Sequence, residues 1–130
     1  LEFRRVLFRS DMYLSTLIRS AVKDIKSKKP GIPCSFLPDF DPTEEQVREA
    51  SEKWQGILDE IILGFDAHLR IMNMDYESEL GPWPKDVLNI EITSEVSEYY
   101  RKMHELEERD VKTFEHGMDL LKKHWGSLWT

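Results

Sequence analysis

Apolar residues recur along most of the chain at the three- and four-residue spacing of an amphipathic helix. The first such stretch begins at Asp11, whose carboxylate can cap a helix, and it ends near Lys29. Its apolar positions share one helical face: Leu14, Leu17, Ile18, Ala21, Val22 and Ile25. The pattern therefore predicts a first helix over residues 11–29.

A capping box opens the second helix, because Thr43 is followed three residues later by Gln46. Glu44 and Glu45 complement the positive end of the helix dipole. The apolar stripe that follows spans about 30 residues, which corresponds to a rod of about 45 Å. Its members are Val47, Ala50, Trp54, Ile57, Leu58, Ile61, Ile62, Phe65, Leu69 and Met72. We expect this to be the central helix.

A third stripe starts near Ser94 and runs to the end of the chain. It consists of Val96, Tyr99, Met103, Leu106, Phe114, Met118, Leu121, Trp125 and Leu128. Asp110 occupies a position at which the stripe would otherwise continue, within a charge-dense run. We therefore predict a long third helix that bends near Asp110.

Two segments rich in proline and aromatic residues separate the helices. Residues 30–42 hold Phe36 and Phe40, and residues 74–93 hold Trp83 between two prolines, followed by an alternating pattern at 88–92. Both segments are expected to be structured loops, the second with one short extended piece. The predicted fold is an all-α bundle of three long amphipathic helices joined by two such loops.

Composition narrows the range of functions. A chain of 130 residues with 40% hydrophobic residues forms one domain, and its longest apolar run is far shorter than the roughly 20 residues of a membrane span. The net charge of −7 argues against non-specific binding to nucleic acid or to an anionic membrane. Cys34 is the single cysteine, so an internal disulfide is excluded. We expect a soluble protein of the cytoplasm.

The first ten residues, LEFRRVLFRS, translate in frame from a nucleotide sequence that looks like a sequencing-library adaptor. We interpret residues 1–10 as an artefact of gene assembly and residues 11–130 as a single helical domain. Residues of such an origin are not interpreted as targeting signals.

A candidate ligand site centres on Trp83, because the Gly-Pro-Trp-Pro sequence holds a large ring on a stiffened loop with no helical face to bury it. Tyr76 and Lys85 lie near it in sequence. Aromatic faces together with several cations suit a nucleotide-like ligand. The proposed ligand-binding residues are Trp83, Lys85, Arg70, Tyr100, Arg101 and His104.

Acidic and histidine pairs leave two alternatives open. His104 with Glu108 has a spacing that can hold a metal. Glu49 with Glu52, and Glu107 with Asp110, have the spacings found in all-α nucleoside triphosphate pyrophosphohydrolases, which use magnesium. Helical geometry argues against two facing carboxylate pairs, because Glu49 and Glu52 point away from the apolar stripe. No nucleophile motif is present, and no cofactor is expected.

The order of packing residues resembles a family of small, mostly helical proteins of unassigned role encoded by tailed bacteriophages and prophages. The resemblance rests on Asp11, the Tyr13–Ile18 segment, the Pro30–Pro33 turn, Trp54 with Ile57 and Leu58, Gly64 with Phe65, and Phe114 to Trp125 with Trp129. It implies expression in the cytoplasm of a bacterial host and no established activity.

The function expected from sequence is that of a non-enzymatic, phage-encoded binding protein that counters host defence by sequestering a nucleotide-type immune signal. The alternative is a protein-interaction inhibitor that blocks a host protein, including the form of an acidic DNA mimic. A magnesium-dependent helical pyrophosphohydrolase ranks third. Self-association is expected, most simply as a two-fold dimer, because three long rods leave much of their surface uncovered.

Overall fold

A computed structural model of the protein describes residues 2–28, 31–37, 41–82 and 94–129, with side chains described from residue 10 onwards. Three long helices dominate: α1 (Glu2–Ser27), α2 (Glu44–Asn73) and α4 (Ser94–Lys123). Two single-turn helices, α3 (Glu77–Leu80) and α5 (Trp125–Leu128), and a 3-10 turn at Cys34–Phe36 complete the described elements. The all-α prediction with three long helices is confirmed. None of the described helices includes a stretch long and apolar enough to cross a membrane.

Helix α2 begins and extends as its sequence predicts. Thr43 accepts a hydrogen bond from the backbone of Gln46, and the Gln46 side chain accepts one from the backbone of Thr43, which is the complete capping box. The helix spans 30 residues. It ends where Met74 adopts a left-handed conformation with φ 50°, and its N–H bonds the last-turn carbonyls. Thr43 therefore sets the start of α2, as predicted.

Two boundary predictions are wrong. Helix α1 begins at Glu2 rather than at Asp11, because no glycine or proline interrupts residues 2–27. Helix α4 is continuous through Asp110, and the bend expected there stays a prediction. The interruption comes at His124, after which α5 forms a separate turn. The loop predictions at Phe40, Trp83 and residues 88–92 lie outside the described residues.

Helix α2 is central, as predicted, because α1 and α4 both pack against it. Ion pairs join α1 to α2 at Arg19 with Asp66 and at Lys26 with Asp59, so the two helices are antiparallel. Helix α4 is also antiparallel to α2. The core between the three consists of Val22, Trp54, Leu58, Ile61, Ile62, Phe65, Leu121 and Leu128.

Three rings close one end of the bundle. Phe36, Trp54 and His124 lie with their ring centroids 5.7 Å apart in each pair. Aromatic pairs at this separation contribute about 0.5–1.5 kcal/mol beyond the area they bury. The 3-10 turn that holds Phe36 is thereby attached to α2 and to the end of α4.

Gly64 of α2 and Gly117 of α4 meet where the two helices come closest. A Cβ atom added at Gly64 would lie 2.8 Å from the Cα of Gly117 and 3.2 Å from the carbonyl oxygen of Thr113. Real Cβ atoms do not approach a backbone atom this closely, so only glycine at position 64 permits this helix separation.

We expect Gly64→Ala to lower the free energy of unfolding by about 1–3 kcal/mol, because the helices must move apart and the core between them loosens. Gly56→Ala is the matched control. It lies on the same helix with no atom within 4 Å of the added Cβ, so the higher helix propensity of alanine should stabilise the protein by up to about 1 kcal/mol. Urea denaturation of both variants tests this, and equal stabilities would contradict the close contact.

Candidate functional site

Asp110 lies between α2 and α4 and is completely buried. Arg70 of α2 donates to both carboxylate oxygens, from Nε at 3.0 Å and from Nη2 at 2.9 Å. Arg109 donates to Asp110 at 3.2 Å and also holds Glu79 of α3 at 2.9 and 3.0 Å. The network therefore joins α2, α3 and α4 around one buried charge.

Burial alone would raise the pKa of Asp110, but hydrogen bonding by Arg70 and the charges of Arg70 and Arg109 together hold the pKa below its usual value. The carboxylate is thus ionised at neutral pH. The sequence pattern indicated that Asp110 interrupts the apolar stripe of the third helix, and this interpretation is wrong. Asp110 continues the packed face of α4, with its charge matched by arginines from two helices.

This network changes the interpretation of two predicted groups. The guanidinium of Arg70, predicted to bind phosphate, is engaged by Asp110. Both oxygens of Asp110 accept hydrogen bonds from arginines, so this carboxylate is not open to a magnesium ion shared with Glu107. Within the described part of the chain, no three His, Cys, Asp or Glu side chains lie close enough together to hold a metal.

Tyr100, Arg101 and His104 lie close together along α4, and all three are exposed. Arg101 is held by Glu98 and Glu105 on its own helix, and these carboxylates raise its pKa above the usual value. His104 lies 3.1 Å from Glu108. Arg101 and Asp110 are nine residues apart, which is about 13 Å along the helix. The structure therefore brings Tyr100, Arg101 and His104 together and leaves Arg70 at a separate location.

Trp83 and Lys85 lie outside the described residues, so their part in the predicted site stays a prediction. Tyr76, their neighbour in sequence, is not on the surface. It is 1% exposed and packs with Tyr99 and Met103 in a second apolar cluster. Sequence did not identify it as a core residue because it lies outside the periodic part of the helices.

Cavities lined by the described residues border the C-terminal part of α1. One of about 810 Å³ lies between the end of α1, the 3-10 turn and α5, where Cys34 and Trp129 line it. Another of about 930 Å³ lies between α1 and α2, lined by Lys23, Lys26 and Gln55 among others. Arg70, Tyr100, Arg101 and His104 line neither. The nucleotide-site residues predicted on the described helices are therefore remote from these cavities.

Apolar side chains that the sequence assigned to the core are exposed on α1. Leu14 is 53% exposed and Leu17 is 47% exposed. The surface of α1 that contacts α2 has two edges. At 100° per residue, Leu14 and Leu17 lie along one edge, and Arg19, which pairs with Asp66, lies along the other. Leu14 and Leu17 thus extend the apolar surface of α1 beyond the area covered by α2.

The same exposure occurs on α4 and at the turn that follows it. Val111, Met118 and Trp125 are 41%, 42% and 52% exposed. Val111 and Met118 lie on the opposite side of α4 from His116, which bonds Glu60 of α2. Sequence placed Met118 and Trp125 in the core stripe, and the structure corrects this. They form one wall of a further cavity of about 540 Å³.

The two exposed strips adjoin the same core, because Ile18 beside Leu17 and Phe114 beside Met118 both pack against it. Leu14 and Leu17 share one face of α1 with Ala21, which lines the cavity of about 810 Å³ together with Trp129. The α1 strip therefore lies on the side of α1 that is turned toward the end of α4. We call Leu14, Leu17, Val111, Met118 and Trp125 together the apolar face.

His68 of α2 contacts both α1 and α4. Its Nδ1 is 2.6 Å from the hydroxyl of Ser15 on α1, and its ring stacks on Phe114 of α4 at 4.2 Å. Burial lowers the pKa of His68, against the opposing charge of Asp11. His68 therefore links α1 to α4 through a neutral imidazole.

Comparison of the chain with protein-family models, with curated proteins and with solved structures finds no match.

We expect Asp110→Ala to lower the free energy of unfolding by about 3 kcal/mol, because the variant leaves two arginines without their buried partner. Glu79→Ala removes an exposed carboxylate from the same network, and its cost should stay below about 1 kcal/mol. Chemical denaturation of the two variants distinguishes them. If the two variants lost a similar free energy of unfolding, the burial of Asp110 would not explain its contribution to stability.

We expect the free energy of unfolding to fall as the pH is lowered from about 7 through 6.5. Burial lowers the pKa of His68 and of His124, the latter with help from Lys123 and Lys53, so the unfolded chain takes up protons before the folded protein does. The double variant His68→Gln and His124→Gln should show a flatter dependence between about pH 7.5 and 5.5. Denaturation at each pH measures it, and identical slopes would contradict the assignment.

Proposed function

We propose that this chain is a non-catalytic protein that acts by binding another protein, and that its apolar face is the binding surface. The observation that carries the proposal is the simultaneous exposure of Leu14, Leu17, Met118 and Trp125 along one open side of the bundle. Large apolar side chains grouped on one surface are typical of a protein–protein contact.

Electrostatics favours a protein partner over a nucleotide. A phosphate needs cations that are free to turn toward it, but Arg70 is held by Asp110 and Arg101 is held by Glu98 and Glu105. Moving the guanidinium of Arg70 to a ligand would leave the buried carboxylate of Asp110 without its main partner. Sequestration of a nucleotide signal stays a prediction that depends on Trp83 and Lys85.

The chemistry of the apolar face suits an amphipathic helix. Its two walls are parallel rods that run along α2, and the exposed positions Val111 and Met118 of α4 are one heptad apart. A helix with large apolar residues at positions i, i+3, i+4 and i+7 fits such a surface. Trp125 and Trp129, with ring centroids 5.1 Å apart, offer the aromatic anchors that often dominate binding energy.

The bacteriophage origin and the counter-defence role stay predictions that rest on the sequence resemblance. Under them, the protein bound through the apolar face would be a component of host defence. This corresponds to the second of the functions expected from sequence, the blocking of a host protein.

The first experiment compares small ligands with protein partners. A panel of nucleotides, cyclic dinucleotides and ADP-ribose derivatives, with and without magnesium, should leave the thermal midpoint unchanged. A bound ligand at about 100 times its dissociation constant would add about 2.7 kcal/mol, which is several degrees. A ligand-specific shift abolished by Arg101→Ala would contradict the proposal and favour sequestration, and recovery of a converted product would favour an enzyme.

Affinity capture from a bacterial lysate then tests the surface. Wild-type protein and Leu63→Glu should retain the same proteins, and Trp125→Glu should lose them, because a buried unpaired carboxylate opposes binding. Leu63 is the matched control, since it is 55% exposed but lies two residues from buried Ile61 and Phe65 and so on the far face of α2. Equal capture by all three proteins would exclude the apolar face as the binding surface.

A further inference from the structure

We infer that the apolar face is occupied by a second copy of this chain, so that two copies form a two-fold bundle with α1 of each packed against α4 of the other. The inference rests on the proposed function, because it concerns the same surface: the second copy covers the apolar face of the free protein, and another protein partner would bind there in its place. It goes beyond a general tendency to self-associate by identifying the helices and the residues at the contact.

The size of the exposed side chains favours a second copy. Leu14, Leu17, Val111, Met118 and Trp125 are each between 41% and 53% exposed. Bulky apolar residues of this kind lose contact with water when a second copy of the same surface covers them.

The two walls of the apolar face are chemically suited to each other. Both walls carry bulky apolar residues, Leu14 and Leu17 on the α1 side and Val111, Met118 and Trp125 on the α4 side. A two-fold contact is self-complementary, so the α1 wall of one copy meets the α4 wall of the other twice. Each copy thus supplies the amphipathic helix that the other copy needs.

Charge favours contact between unlike helices. Residues 10–28, which comprise the described side chains of α1 and the residue after it, carry four basic and two acidic side chains, whereas α4 carries six basic and eight acidic ones. Contact between α1 and α4 therefore brings together opposite net charges, whereas α4 against α4 would bring together two negative helices. The net charge of −7 on the whole chain would otherwise oppose association.

The test is the oligomeric state of the full chain, measured by sedimentation equilibrium and by light scattering. Wild-type protein should have twice the chain mass at about 50 μM, and Leu17→Glu and Met118→Glu should each weaken the dimer by about 100-fold or more, because each buries a carboxylate at the contact. Both residues are half-exposed in the single chain, so far-UV circular dichroism should show that the variants remain folded. Leu63→Glu should remain a dimer.

Monomeric wild-type protein at all concentrations up to about 200 μM would overturn the inference, since an interface of standard size binds more tightly than that. It would leave the proposed function intact, because that proposal is tested by capture with Trp125→Glu and does not require a second copy. Dissociation by Leu63→Glu, or dimers that survive both Leu17→Glu and Met118→Glu, would also overturn the inference by placing the contact elsewhere.

Disulfide crosslinking tests which helices meet. In a Cys34→Ser background, an equal mixture of Leu17→Cys and Met118→Cys proteins should form a crosslinked species containing one copy of each on mild oxidation. Because each protein then has one thiol, any such species is intermolecular. Crosslinks between two Met118→Cys copies without mixed product would place α4 against α4 and overturn the pairing.

Discussion

The contact between Gly64 and Gly117 sets the distance between the two longest packed helices, and the other interactions of the bundle depend on that distance. With no side chain on either glycine, the backbones of α2 and α4 approach until the missing Cβ atoms would overlap. At this separation Arg70 reaches both oxygens of Asp110, and Phe65 meets Phe114 edge to face at 5.6 Å. A larger residue at either glycine would lengthen these contacts together, since they lie along one interface.

Close packing of α1 and α4 on α2 leaves the sides of those two helices that point away from α2 uncovered. Their apolar stripes are wider than one neighbour can cover, so Leu14, Leu17, Met118 and Trp125 remain at the surface beside a complete core. The exposed apolar area is thus a consequence of helix geometry and of a three-helix bundle. Both the proposed binding of a protein partner and the inferred dimer rest on this exposed area.

The charged residues near the core join the helices to one another rather than offering a site for a ligand. Arg19, Lys26 and Arg70 each pair with a carboxylate on α2 or α4, so the cations nearest the core connect helices. Pairs exposed to solvent contribute little to stability, whereas the buried Asp110 is costly to disturb. The arginines that sequence suggested for ligand binding on the described helices are engaged in ion pairs, which is the reason that the proposed function rests on apolar contact.

Sequence by itself determined the helical class, the capping box at Thr43 and the length of α2, because these follow from local hydrogen bonding and from periodicity. Periodicity also identified Trp54, Leu58, Ile61 and Phe65 as core. It could not distinguish the apolar positions of α1 and α4 that are covered from those that are not, since both have helical spacing and only the number of neighbouring helices differs. Tertiary structure alone decided that Asp110 is buried and matched by Arg70 from a residue 40 positions away, and that Gly64 meets Gly117. Contacts between distant residues leave no periodic signal in a single sequence, and for this chain they decide which side chains are available to bind a partner.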